Sequence, residues 1–319
     1  MLLLLSLLQL LYVLLLAPLA AGILAKIEEV LESKKGPSVF QPYFDLAKLF
    51  RKESLVPTAA SPFFMVAPYI TFAFYLLLTL VLPIITAFPL TFGPVVDFIG
   101  GGLVFGAAAT VKKLAAIDSR NNYSHLGTSR AASVGALSEP IMLLIFIMLG
   151  VISQTNNPYV INNVLQTSGA WYGSLVHWFV TIAFFMVLIV ETGKLPIESH
   201  TMGELGMIDQ SMEMEYSGRE LALYKWGGYM KHFLLMNVFM NVLAVPFLVP
   251  MTPSTTALLV YPVINFIKIL ALLIVFALLN ESVSKYRLFK IFDYVSVTFV
   301  FAFLAALVFF TTRTGGGFR

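Results

Sequence analysis

A chain of 319 residues that is 59% hydrophobic and only 12% charged, with a mean hydropathy of +0.87, lies far from the balance of a water-soluble domain. The complete absence of cysteine excludes disulfides, thiolate zinc sites and iron–sulfur clusters ligated by this chain. The net charge of +3 is small, and its distribution concerns membrane topology rather than nucleic acid.

The fold class that follows is an all-α membrane protein. Apolar runs of about 18–25 residues recur, each long enough to cross roughly 30 Å of hydrocarbon as a helix. They are continuously apolar rather than alternating, which argues against a β-barrel. In chain order the expected spans are 2–25, 63–86, 95–117, 131–153, 172–192, 231–250, 255–280 and 290–312, eight in a single membrane domain. No Lys or Arg precedes Lys26, so the first run reads as a retained helix rather than a signal peptide.

Between the first two spans, segment 38–53 is too polar to cross. Phe40, Tyr43, Phe44, Ala47, Leu49 and Phe50 fall mostly on one helical side and Asp45, Lys48, Arg51 and Lys52 mostly on the other. An amphipathic helix at the membrane surface follows, serving either as a lipid anchor or as a docking surface for a soluble partner. Prolines 57, 62 and 68 mark the start of the second span and prolines 83, 89 and 94 its end. Gly100, Gly101, Gly102 and Gly106 permit close packing of the third.

All of the 20 Lys and Arg residues except Lys268, Arg313 and Arg319 lie in or beside the connections 26–62, 112–130, 193–230 and 281–289. The positive-inside rule makes those connections cytoplasmic and both termini external, as suits a plasma-membrane protein. His125, His177, His200 and His232 lack the i, i+3 or i, i+4 histidine partner that metal sites on one helix face use, so no metal is expected.

Charge inside a bilayer costs about 2.5–3.5 kcal/mol or more per group on insertion scales, so each such residue is a functional candidate. Glu139 stands about a third of the way into the fourth span. Glu191 closes the fifth, where Lys194 offers an ordinary i, i+3 ion pair as the alternative reading. Asp97 opens the third span. Lys268 sits mid-span, and either faces a carboxylate or exchanges its proton. The connection after Glu191 carries Glu198, Glu204, Asp209, Glu213, Glu215 and Glu220 against Lys194 and Arg219. It reads either as a solvated loop or, given its interleaved methionines, as a half-buried chain of proton-accepting carboxylates.

Three stretches together resemble a known family. The run Lys34-Lys35-Gly36-Pro37 with Gln41, Asp45, Lys48 and Leu49 is similar to the segment after the first helix in the quinone-chamber subunit of respiratory complex I. Its shortened Gly-Pro-to-Gln spacing matches the equivalent subunit of energy-converting membrane-bound hydrogenases, formate hydrogenlyase and their sulfur-reducing cousins. Gly127-Thr128-Ser129-Arg130 with Glu139-Pro140, and Glu191-Thr192-Gly193-Lys194-Leu195-Pro196 with Glu215-Tyr216-Ser217-Gly218-Arg219, follow in the family's order.

The resemblance implies a non-catalytic membrane subunit with no cofactor of its own. Its partners would be a hydrogenase-like large subunit bearing a nickel–iron-type centre, small subunits bearing iron–sulfur clusters, and antiporter-like membrane subunits. By that resemblance Glu139, Glu191, Glu204, Glu213 and Glu215 line an ion pathway, to which Glu198, Asp209 and Lys268 are added as candidates. Asp45, Lys48, Arg51, Arg130, Tyr216 and Arg219 would shape the junction with the peripheral arm. The alternatives are a quinone-reducing complex I subunit and a stand-alone ion transporter.

Overall fold

The computed structural model describes residues 2–93, 97–167, 172–192, 211–247, 255–282 and 288–314, and among these the structure is helical with no strand. In order the helices are α1 (Leu2–Leu31), α2 (Gln41–Phe50), α3 (Pro62–Val81), α4 (Phe98–Asp118), α5 (Asn122–Ser153), α6 (Pro158–Thr167), α7 (Leu175–Glu191), α8 (Gly218–Val238), α9 (Thr255–Ser282) and α10 (Leu288–Thr314). A π-helix, Phe239–Ala244, continues α8.

Six helices, α1, α3, α4, α5, α9 and α10, are long and apolar enough to cross a membrane. The two further expected spans, 172–192 and 231–250, overlap α7, which has 17 residues, and the second half of α8 with its π continuation; α8 begins at Gly218, inside the expected connection 193–230, and its N-terminal turns carry Arg219, Glu220 and Lys225. α10 packs on α7 and α5, α3 lies between α4 and α8, and α1 rests on α8 and α9. Leucines 3, 4, 7, 11 and 15, Trp178 and Phe303 face outward, as lipid-contacting side chains must.

The helix ends follow from sequence. Ser61 caps α3 by accepting from the Phe63 amide, and its hydroxyl donates to Asp118 at the far end of α4 (2.6 Å). Asp97 caps α4 and Asn121 caps α5 in the same way. Only residues 119–121 separate those two helices, so Lys112 and Lys113 lie on the last turns of α4, not in a loop. α2 is a short helix of 10 residues whose Leu46 is buried while Phe40 and Phe44 stay exposed. It lies close to α1 because Gly22 leaves room for the Val39 carbonyl, which any Cβ there would strike.

Residues 82–87, after α3, run through the interior without helical structure. Backbone carbonyls at that depth need partners inside the protein. Gln9 on α1 donates to the carbonyls of Thr79 (2.6 Å) and Leu82 (2.9 Å). Asn241 and Asn265 both donate to the Ile84 carbonyl, at 2.9 and 2.8 Å. The π-helix places Asn241 for this, consistent with the tendency of such turns to occur at special sites.

Candidate functional site

Two ion pairs meet on one turn of α5. Glu139 accepts from Lys113 of α4 at 2.8 Å, with their side chains 25% and 18% exposed. The adjacent Ser138 donates to Glu191 of α7 at 2.6 Å, and the other oxygen of Glu191 accepts from Lys231 of α8 at 2.7 Å. Consecutive residues of a helix point about 100° apart, so Ser138 and Glu139 reach different neighbouring helices. Four helices, α4, α5, α7 and α8, are thereby tied together by charge.

These groups line a cavity of about 430 Å³. Lys112, Lys225, His232 and Glu213 also contribute to its wall, and Tyr75, Leu24 and Phe233 make it partly apolar. The Lys112 ammonium lies 4.2 Å from the centre of the Tyr224 ring, a cation–π contact that lowers the cost of keeping it out of water. What this arrangement can do chemically is keep carboxylates and ammonium groups paired within a low-dielectric bundle and link one helix to the next through them.

The motif Glu215-Tyr216-Ser217-Gly218 is a clasp. Glu215 accepts from the Asn121 side chain at the start of α5. Tyr216 stacks on Phe64 with ring centres 4.1 Å apart and donates its hydroxyl to the Phe64 carbonyl (3.0 Å). Burial pushes the Tyr216 phenol well up, so it stays a neutral donor. Ser217 exchanges hydrogen bonds with the backbone of Leu55. Gly218 adopts φ +54° where Glu53 passes so close that a side chain would not fit.

Lys268 faces backbone carbonyls rather than a carboxylate among the described residues. Its three donors reach the carbonyls of Phe247 (2.6 Å) and Val245 (2.8 Å) and the Asn241 side chain (3.4 Å). Those carbonyls lie in the non-helical residues just after the π-helix, and their partial negative charge favours a cation.

A family profile described as NADH dehydrogenase matches residues 4–311. The chain belongs to that family. It is 28% identical over 316 residues to Hydrogenase-4 component C of Escherichia coli (strain K12), covering 97% of this chain and 96% of the relative. It is 29% identical over 304 residues to Formate hydrogenlyase subunit 4 of the same organism, covering 91% and 92%. The fold matches a chain from the membrane-bound sulfane sulfur reductase, an archaeal respiratory membrane complex, with a TM-score of 0.78 at 18% identity, covering 96% of this chain and 99% of that one.

Within this family fold the expected residues separate into groups. Glu139, Glu191 and Glu213 share the cavity wall, whereas Glu215 holds the clasp and Lys268 lies in the asparagine cluster. Glu198, Glu204, Asp209 and Lys194 lie outside the described residues. Asp45, Lys48, Arg51 and Arg219 are exposed, Arg130 is half-buried, and Tyr216 has its surface covered by Phe64 and Tyr224 of this same chain. No cluster of His, Asp or Glu placed to hold a metal occurs among the described residues.

Sequence reasoning missed Ser138, Lys113 and Lys231. The signal for the lysines was their helical phase: Lys113 and Lys231 sit on continuous helices, yet were counted as loop charges. The expected i, i+3 partner of Glu191, Lys194, lies outside the described residues; among these, Lys231 bonds one carboxylate oxygen and Ser138 the other. Asn237, Asn241 and Asn265 were missed because only ionisable groups were sought within the apolar runs.

Proposed function

We propose that this chain is the membrane subunit of a ferredoxin-linked respiratory complex of the hydrogenase or sulfur-reducing type. It anchors a peripheral redox arm and couples electron transfer to proton or sodium movement. The single observation that carries this reading is the pair of interior ion pairs, Lys113–Glu139 and Lys231–Glu191, joined through adjacent residues of α5 around one cavity. Such charge is costly to insert and is retained where it works. The full-length similarity to subunits of hydrogenase-4 and formate hydrogenlyase supports the assignment to this kind of assembly.

In this reading Glu139, Glu191 and Glu213 carry the pathway, joined by Glu198, Glu204 and Asp209, while Glu215 and Lys268 brace the bundle away from the cavity. Asp45, Lys48, Arg51, Arg130 and Arg219 face the peripheral arm on the cytoplasmic side, with both termini outside the plasma membrane. The nickel–iron-type centre and iron–sulfur clusters reside on the partner large and small subunits, and antiporter-like subunits continue the ion path. A carboxylate that takes up a proton releases its lysine, and the neighbouring pair feels the freed charge. The quinone-reducing alternative draws support from the partly apolar cavity and from the family match; dependence of electron transfer on added quinone separates the two.

Glu139→Gln keeps the side chain's shape but removes its charge. In the assembled complex it is expected to lower ion movement by about fivefold or more while electron transfer in uncoupled membranes stays within about twofold. Vesicle ion uptake measured beside electron-transfer rate checks this. Equal loss of both activities points to a structural role instead.

A further inference from the structure

Gly135 stands one turn before Ser138 and Glu139 on α5. A methyl group at this position would lie 2.5 Å from Lys113 Nζ and 2.9 Å from Glu139 Oε1, closer than non-bonded atoms approach. Across the helix interface, a methyl group on Gly106 would meet Glu139 Oε2 at 3.4 Å, so that position is tight as well. The two glycines flank one ion pair.

Other glycines in the bundle are crowded by different neighbours. A Cβ on Gly102 would meet the side chains of Phe146 and Leu143, and one on Gly227 the ring of Tyr75, which are contacts of helix packing. At Gly135 the close atoms are the charged ends of Lys113 and Glu139. The space it leaves is filled by the ion pair itself.

We infer that Gly135 is a positioning residue, its missing side chain forming the slot through which Lys113 reaches Glu139 beside the Ser138–Glu191–Lys231 chain. The inference rests on the coupling role proposed above for Glu139 and Glu191. Lysine is long and its ammonium is movable, so a methyl at 135 displaces the ammonium rather than the backbone. Alanine also suits a helix interior better than glycine. Gly135→Ala is therefore expected to keep the fold and lose the pair.

The test uses the assembled complex in vesicles with four variants, Gly135→Ala, Lys113→Ala, the double variant and Glu139→Gln. Gly135→Ala is expected to lower the ions moved per electron pair by about fivefold or more, with uncoupled electron transfer within about twofold of the parent. Lys113→Ala should do the same. The double variant should be no worse than either single one, because without the ammonium the remaining close atom is Glu139 Oε1, the end of a flexible side chain no longer held by Lys113. A further loss in the Lys113→Ala background would show a packing role for Gly135 and overturn the inference.

An unchanged ratio in Gly135→Ala beside a lowered one in Glu139→Gln would also overturn it, while leaving the proposed function intact. An unchanged ratio in Glu139→Gln would remove both. Should Gly135→Ala fail to assemble, recovery of assembly in the double variant supports the clash with Lys113. Failure of both variants to assemble assigns Gly135 to helix packing and contradicts the slot.

Discussion

Lys231→Met is expected to destabilise the subunit by about 3–5 kcal/mol, because it leaves the buried Glu191 carboxylate without the ammonium that pairs with it. Glu191 is only 11% exposed and its two oxygens are divided between Lys231 and Ser138. The side-chain stem of methionine fills the same space, so the loss reports charge rather than a cavity. Adding Glu191→Gln removes the stranded charge and should recover most of the stability, since replacing both members of a buried pair is far milder than removing one. The thermal midpoint of the detergent-solubilised assembly measures both variants. If the single variant matches the parent, the pair contributes nothing to holding α7 against α8.

The second large effect is expected at Asn241. Its amide donates to the carbonyls of Ile84 (2.9 Å) and Pro83 (3.4 Å), and its oxygen accepts from Lys268 (3.4 Å). Leucine has similar size and none of these bonds. Each buried polar group left without a partner costs about 1–3 kcal/mol, and here the Pro83 carbonyl and the Lys268 ammonium both lose one. Asn265 still serves the Ile84 carbonyl, which limits the damage there. Asn241→Leu should lower the thermal midpoint clearly, whereas Val263→Leu on the exposed face of α9 should stay within about 0.5 kcal/mol of the parent. Equal effects from the two would mean that the non-helical segment after α3 does not depend on the asparagine cluster.

The architecture was legible because a bilayer imposes one dominant rule, that long apolar runs become helices. The family resemblance was legible for a different reason. Its motifs are turns and clasps whose residues have specific tasks, such as Gly218 at φ +54° and Tyr216 donating to Phe64. Glu139 and Glu191 stood out as carboxylates in apolar surroundings. Their partners did not, because Lys113 and Lys231 fall where the apolar pattern gives way to polar residues, and nothing local says which carboxylate they will meet.

Lys268 illustrates the same limit. A mid-span lysine announces either a facing carboxylate or an exchanging proton, and says nothing of neutral partners. The structure supplies an amide oxygen on the π-helix and two backbone carbonyls from the residues that follow it, an irregularity without a signal in the apolar pattern. The expected second span, 63–86, includes 82–86, with prolines 83, 89 and 94 marking its end, whereas α3 stops at Val81. That the chain continues through the interior without helical structure follows from Gln9, Asn241 and Asn265, three neutral side chains on three separate elements.

The measurement that bears most directly on ion coupling through this chain is the number of ions moved per electron pair by the whole complex in sealed vesicles, compared between the parent and Glu139→Gln. Ion coupling through the α5 charge pairs requires that number to fall by about fivefold or more while electrons still pass at the uncoupled rate. An unaltered stoichiometry would contradict it, and would leave these ion pairs as braces between helices.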